Sequence, residues 1–191
     1  MKIGLYFGSF NPIHNGHLII AQHFLEETDL EKIWFVVSPQ NPFKQNHSLL
    51  NEYHRLFLVQ KAIEGETNMK AVDIEFSLPK PSYTIDTMTY LEEKYPEHQF
   101  CIIMGSDSFQ NLEKWKSGSL IMTRYPIYIY VRSGFEVDQQ KITENIVVLK
   151  APLLDISASL IRKKIGEGKS VRYLIPDAVN EEIVNAGYYK N

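Results

Sequence analysis

The chain has 191 residues, with 20 Lys and Arg against 23 Asp and Glu and a formal net charge of −3. So even a charge balance lacks the basic face that broad nucleic-acid binding requires, so no nucleic-acid partner is expected, although a local cluster of cations for small phosphates remains open. A single cysteine, Cys101, excludes an intrachain disulfide and a multi-cysteine zinc site, and no apolar stretch resembles a signal peptide or is long enough for a bilayer, so the expected compartment is the cytoplasm, without membrane association.

Ile3–Phe7 reads as a buried strand, followed by a helix over His17–Glu27 with Leu18, Ala21 and Leu25 at helical spacing. Lys32–Ser38 is a second buried strand, and Leu50–Glu64 a helix with Leu56, Val59, Ala62 and Ile63 on one side. Met69–Ile74 reads as a short strand, Pro79–Ser82 as a loop and Thr84–Lys94 as a helix that Pro96 stops. Gln99–Met104, which carries Cys101 as a buried small hydrophobe, Pro126–Val131 and Ile146–Leu149 are further strands; Ser159–Gly166 and Asp177–Ala186 are closing helices. Strands alternating with helices predict an α/β fold, a Rossmann-like, doubly wound, mainly parallel sheet. The change of character near residue 150 predicts one domain with a core over about 1–150 and a small C-terminal helical lobe over about 151–191. In such sheets ligands bind beyond the carboxyl ends of the strands.

The first such end reads Gly8-Ser9-Phe10-Asn11-Pro12-Ile13-His14-Asn15-Gly16-His17. Gly8 allows a tight turn and close approach of a ligand, and Pro12 fixes the loop. His14 and His17 lie where a helix start offers free N–H groups and the positive end of its dipole, which favours phosphate. The pair alone also fits two surface histidines; metal ligation is disfavoured because no Cys or further His accompanies it. Far along the chain, Ile156-Ser157-Ala158-Ser159-Leu160-Ile161-Arg162 opens another helix, with Ser157 its N-cap and Ser159 and Arg162 one turn apart. These could converge on a polyphosphate. Taken alone, the segment is better explained as a capped helix with a solvated arginine.

Together the two segments resemble the signatures of the HxGH nucleotidyltransferase superfamily, and in detail those of the bacterial nicotinate-nucleotide adenylyltransferase family. The first corresponds to its histidine motif, with Phe7 where the family usually has glycine, and the second to its I-S-x-[TS]-x-x-R motif, with Ser159 for the usual threonine. The resemblance implies transfer of AMP from ATP to nicotinate mononucleotide, giving deamido-NAD and pyrophosphate, with Mg²⁺ on the triphosphate and no protein metal ligand. His14, His17 and Arg162 are then the expected catalytic residues. Gly8, Ser9, Phe10, Gly105, Asp107, Ile156, Ser157 and Ser159 join them in binding ATP.

The middle of the chain holds the expected acceptor residues. Lys44 follows the second strand and reads alone as a loop lysine; the family carries a similar lysine. In Ser82-Tyr83-Thr84-Ile85-Asp86-Thr87, Thr84 is a candidate helix cap. The string is similar to the family motif whose backbone and threonine face the pyridine carboxylate, which implicates Tyr83 and Thr84. In Gly105-Ser106-Asp107 the aspartate reads either as a helix cap or as an acceptor for ribose hydroxyls, the family role. Trp115 fits core packing as well as stacking on a pyridine ring, and the resemblance implies stacking. Arg132, at a strand's carboxyl end, is implied to clamp the mononucleotide phosphate. Relatives that adenylylate phosphopantetheine or use CTP share the first motif, and a non-catalytic nucleotide sensor would keep the fold. Oligomeric state stays open, a homo-oligomer being allowed.

Overall fold

Alternation along the first strand divides the molecule. In β1 (Lys2–Gly8) Ile3, Leu5 and Phe7 point to one face of the sheet and Tyr6 to the other, as the period of two on a strand requires. The structure is a computed structural model that describes residues 1–40, 49–152 and 155–190. Its six strands are β1, β2 (Lys32–Val37), β3 (Met69–Val72), β4 (Gln99–Gly105), β5 (Ile127–Tyr130) and β6 (Ile146–Leu149). They run parallel in the order β3-β2-β1-β4-β5-β6. This is the predicted doubly wound sheet, and its strand order reverses between β1 and β4, the place where such sheets bind ligands.

Helices cover both faces. The helices α1 (Asn15–Glu27), α2 (Glu52–Ala62), α6 (Ala158–Gly166) and α7 (Asp177–Ala186) share one core with Tyr6, Phe35 and Ile103. On the other face α3 (Thr84–Lys94), the short α4 (Ser106–Gln110) and α5 (Gly118–Arg124) pack on Leu5, Val36 and Ile102. Strands buried on both faces are runs of Ile, Val and Phe, as a parallel sheet demands. Among the described residues no helix is long and apolar enough to cross a membrane.

Several boundaries differ from expectation in ways that matter for the site. The third strand stops at Val72, and Ile74–Phe76 turns as a 3₁₀ segment that carries Glu75 inward. The first helix begins at Asn15, so His14 is its N-cap. Tyr83 is the cap residue of α3 and Thr84 its first helical residue, against the reading of Thr84 as cap. The helices α4 and α5 were not legible; both are shorter than the two full turns that make a periodic pattern visible.

Candidate active site

Two cavities open at the carboxyl ends of the strands. The larger, of about 430 Å³, is lined by His14, His17, Asp107, Arg132, Ser157, Ser159 and Arg162 among others. The smaller, of about 130 Å³, is lined by Ser38, Glu75, Ser82, Tyr83, Thr84, Trp115 and Lys116 among others. Phe7, Gly8 and Ser108 line both, so the cavities adjoin at the end of β1.

The histidines are preorganised. His14, extended at φ −146°, starts α1, and its ring stacks on that of His17 at 3.7 Å between centroids and 21° between planes. A Cβ at Gly16 would lie 3.1 Å from His14 Nδ1, so glycine at this position gives the His14 ring its place. The His14 backbone N–H donates to His17 Nδ1 at 3.3 Å. That acceptance leaves the proton of neutral His17 on Nε2 as a donor. His14 Nδ1 is buried against Gly16 and has no protein hydrogen-bond partner among the described residues, a cost of about 1–3 kcal/mol.

Both imidazoles are held neutral. Burial, then the positive charge of Arg132, lowers His14 from its ordinary 6.5 to about 4. Burial lowers His17 well below the same value, with His14 and Arg132 adding to the effect. An unfolded chain therefore binds more protons than the folded one between pH 4 and 6.5. Stability contributed by His14 is complete above that window and is lost as pH falls through it, by about 3 kcal/mol at pH 4, with His17 acting in the same direction. Urea midpoints of the ligand-free protein should fall more steeply between about pH 7 and pH 4 than those of His14→Asn. Equal slopes would show that His14 is not the group responsible.

The loop beneath the histidines is fixed from several sides. Phe10, not Gly8, takes the left-handed backbone, at φ 45°, at a cost of about 1–3 kcal/mol. Its buried ring meets Tyr6, Phe35 and His17 edge-on at 5.9, 5.5 and 5.1 Å, which holds it there. Arg162 Nη1 donates to the Asn11 carbonyl at 2.7 Å and Nη2 to Ser159 Oγ at 3.3 Å. Ser157 caps α6 as expected, accepting from the Leu160 N–H at 3.2 Å. Arg55, completely buried in α2, donates to the carbonyls of Leu50, Ser9, Ser38 and Pro39 at 2.7, 2.5, 2.8 and 3.1 Å. It thereby ties the loop after β1 to the loop after β2.

Asp107 is the second residue of α4, capped by Gly105, so the reading of Asp107 as helix cap is corrected. Its Oδ2 accepts from Arg132 Nη1 at 2.9 Å, while Oδ1 is buried with no protein partner among the described residues. Gly105 leaves the room in which this pair meets, since a Cβ there would overlap Asp107 Oδ1.

The smaller cavity has an aromatic wall and a polar floor. Trp115 and Tyr83 are half-buried, and Lys116 lies 4.8 Å from the Tyr83 ring centroid while pairing with Asp86 at 2.8 Å. Glu75, 2 % exposed, accepts from Ser82 Oγ at 2.7 Å and Thr87 Oγ1 at 2.9 Å. Burial raises its carboxyl above the usual range, opposed by these hydroxyls and that of Ser38. Glu75 thus brackets the start of α3, whose first N–H groups are left without helical partners.

Comparison with known proteins identifies the arrangement. A model described as cytidylyltransferase-like matches residues 5–164. A relative from Cytophaga hutchinsonii, named as a probable nicotinate-nucleotide adenylyltransferase, is 49% identical over 191 residues, covering 100% of both chains. The chain belongs to the nicotinate-nucleotide adenylyltransferase family. It is an enzyme of the HxGH nucleotidyltransferase superfamily. A relative of the same name from Bacteroides fragilis is 42% identical, the match covering 96% of this chain and 91% of its own. The fold is also that of a solved Plasmodium falciparum nicotinic acid mononucleotide adenylyltransferase complexed with NaAD, at a TM-score of 0.84 and 21% identity, covering 98% of this chain and 97% of that one.

Within this family fold, the predicted residues fall into two groups. Gly8, Ser9, Phe10, His14, His17, Asp107, Ile156, Ser157, Ser159 and Arg162 line the larger cavity; Gly105 stands just behind Asp107. Tyr83, Thr84 and Trp115 line the smaller one. Arg132, expected with the acceptor residues, faces the histidines in the larger cavity. Lys44 lies outside the described residues. Phe7 forms part of the wall common to both cavities, its side chain on the α3 face of the sheet. Sequence reasoning missed Arg55, Glu75 and Lys116, and gave Asn11 no role.

Proposed function

We propose that the chain joins the AMP of ATP to nicotinate mononucleotide, releasing pyrophosphate and forming deamido-NAD. The carrying observation is the pair of adjoining cavities that share Phe7, Gly8 and Ser108. One offers helix starts, histidines and Arg162 to a triphosphate. The other offers an aromatic wall and the start of α3 to a pyridine and its carboxylate. We further read residues of about 1–150 as the core and about 151–191 as the lobe that brings Ser159 and Arg162 to ATP.

The acceptor phosphate is already anionic at neutral pH, so the chain needs no general base. Catalysis is placement in line and stabilisation of charge on the α-phosphate and leaving pyrophosphate. His17 donates from Nε2, and His14, Ser159 and Arg162 complete the anion site. Asp107, on the wall of the larger cavity, accepts from ribose hydroxyls. Arg132, in the larger cavity, and Lys44 hold the incoming phosphate. Neutral histidines, and an Arg132 already paired with Asp107, leave much of a triphosphate uncompensated. A Mg²⁺ ion held by the triphosphate and water fits that deficit and would supply charge neutralisation there.

The test is a panel of ATP and CTP against nicotinate mononucleotide, nicotinamide mononucleotide and phosphopantetheine, read by pyrophosphate release. ATP with nicotinate mononucleotide should give the highest kcat/KM. A higher value for another pair, or tight ATP binding without turnover, overturns the reading. In the same assay Trp115→Ala should raise KM for the mononucleotide about tenfold, as loss of one stacking face predicts, and leave KM for ATP nearly unchanged. An unaltered mononucleotide KM removes Trp115 from the acceptor site.

A further inference from the structure

The segment after α7 reaches the catalytic loop from the far end of the sequence. Gly187, at φ 69°, ends the helix with a left-handed residue, which glycine adopts without steric cost. The chain then lays Tyr188 and Tyr189 back over α2. The Tyr188 hydroxyl meets His54 Nδ1 at 2.8 Å, and their rings lie 5.0 Å apart. The Tyr189 hydroxyl donates to Asn11 Oδ1 at 2.8 Å, across 178 residues of sequence.

Asn11 is 1 % exposed and is held at its side-chain and backbone oxygens. Its Oδ1 also accepts from the Leu50 N–H at 3.2 Å, and its backbone carbonyl accepts from Arg162 Nη1 at 2.7 Å. Tyr189 lines neither cavity. We propose that Tyr189 is a positioning residue for ATP: through Asn11 it fixes the loop that carries Phe10 and anchors Arg162. The neighbouring left-handed Phe10 persists only while its surroundings over-determine it. Releasing Asn11 loosens that constraint, and both Arg162 and the Phe10 ring against His17 lose their fixed places. The effect belongs to the triphosphate side, because Phe10, Asn11 and Arg162 line the larger cavity and none of the three lines the smaller one. The inference rests on the assignment of the larger cavity to ATP.

Tyr189→Phe keeps the ring and removes the hydroxyl alone. Steady-state kinetics should show kcat/KM for ATP reduced about tenfold, the equivalent of one well-made hydrogen bond. KM for nicotinate mononucleotide should stay within about twofold, and in an Asn11→Ala background the added effect of Tyr189→Phe should be less than about twofold, because coupled residues are not additive. A parent-like kcat/KM for ATP in Tyr189→Phe overturns the proposal, as does an equal loss for both substrates or a full effect without the Asn11 side chain. Should Asn11→Ala not fold, the substrate split in the single variant decides. A parent protein without turnover in this assay would instead defeat the assigned reaction, so the two failures are distinct.

Discussion

Replacing His17 by alanine should lower kcat about a thousandfold while KM for ATP rises no more than about threefold. The asymmetry follows from where the imidazole is aimed. His17 Nδ1 is occupied by the His14 N–H, so the neutral ring presents a single Nε2 donor. The rings of His14, Tyr6 and Phe10 hold it at centroid distances of 3.7, 5.9 and 5.1 Å. A donor fixed before substrate arrives needs no reorganisation when charge builds on the phosphate oxygens, and only stabilisation greater in the transition state than in the bound substrate raises kcat. On the proposed assignment ATP keeps Arg162, Ser159 and two helix starts, so its binding should depend little on this ring. Pyrophosphate release under saturating substrates checks the value. A near-parent kcat in folded His17→Ala would remove His17 from catalysis.

What could be read in the sequence was what is local. The run from β1 into α1 places its histidines by covalent neighbourhood, and the Ser157 cap is complete within four residues. The alternation of strands and helices is likewise a local record of burial, and it led to the correct sheet. Tertiary ties were not legible. Tyr189 and Asn11 are adjacent only after the whole sheet has formed, and Glu75 faces the smaller cavity because a strand ends two residues early. Arg132 lay at a correctly placed strand end, but which cavity it faces is decided by its pairing with Asp107 on another element. Arg55 did leave a signal. Helical spacing puts it on one stripe with Leu58 and Val59, and these three are the buried residues of α2. The expected apolar side, built on Leu56, Val59, Ala62 and Ile63, was rotated enough to leave that arginine apparently in solvent.

Arg55→Met should destabilise the protein by about 3–5 kcal/mol, measured as a shift of the urea unfolding curve. Replacing a buried ion pair by apolar residues can be neutral, because both charges then disappear. Here the hydrogen-bond partners of the guanidinium among the described residues are four backbone carbonyls, those of Ser9, Ser38, Pro39 and Leu50, and no substitution removes them. Methionine fills the volume and leaves these acceptors buried without the donors that satisfied them. Arg55→Lys should recover little, since one ammonium cannot reproduce the fork that reaches carbonyls on two separate loops. A loss below about 1 kcal/mol for Arg55→Met would mean that water or a local shift satisfies the carbonyls and that Arg55 is no clamp. Activity distinguishes this tie from that of Tyr189. Ser9 lines the larger cavity, proposed for ATP, and Ser38 the smaller one, proposed for the acceptor. Freeing both loops at once should therefore raise KM for both substrates in the protein that remains folded, whereas loss of the Tyr189 hydroxyl acts on ATP alone.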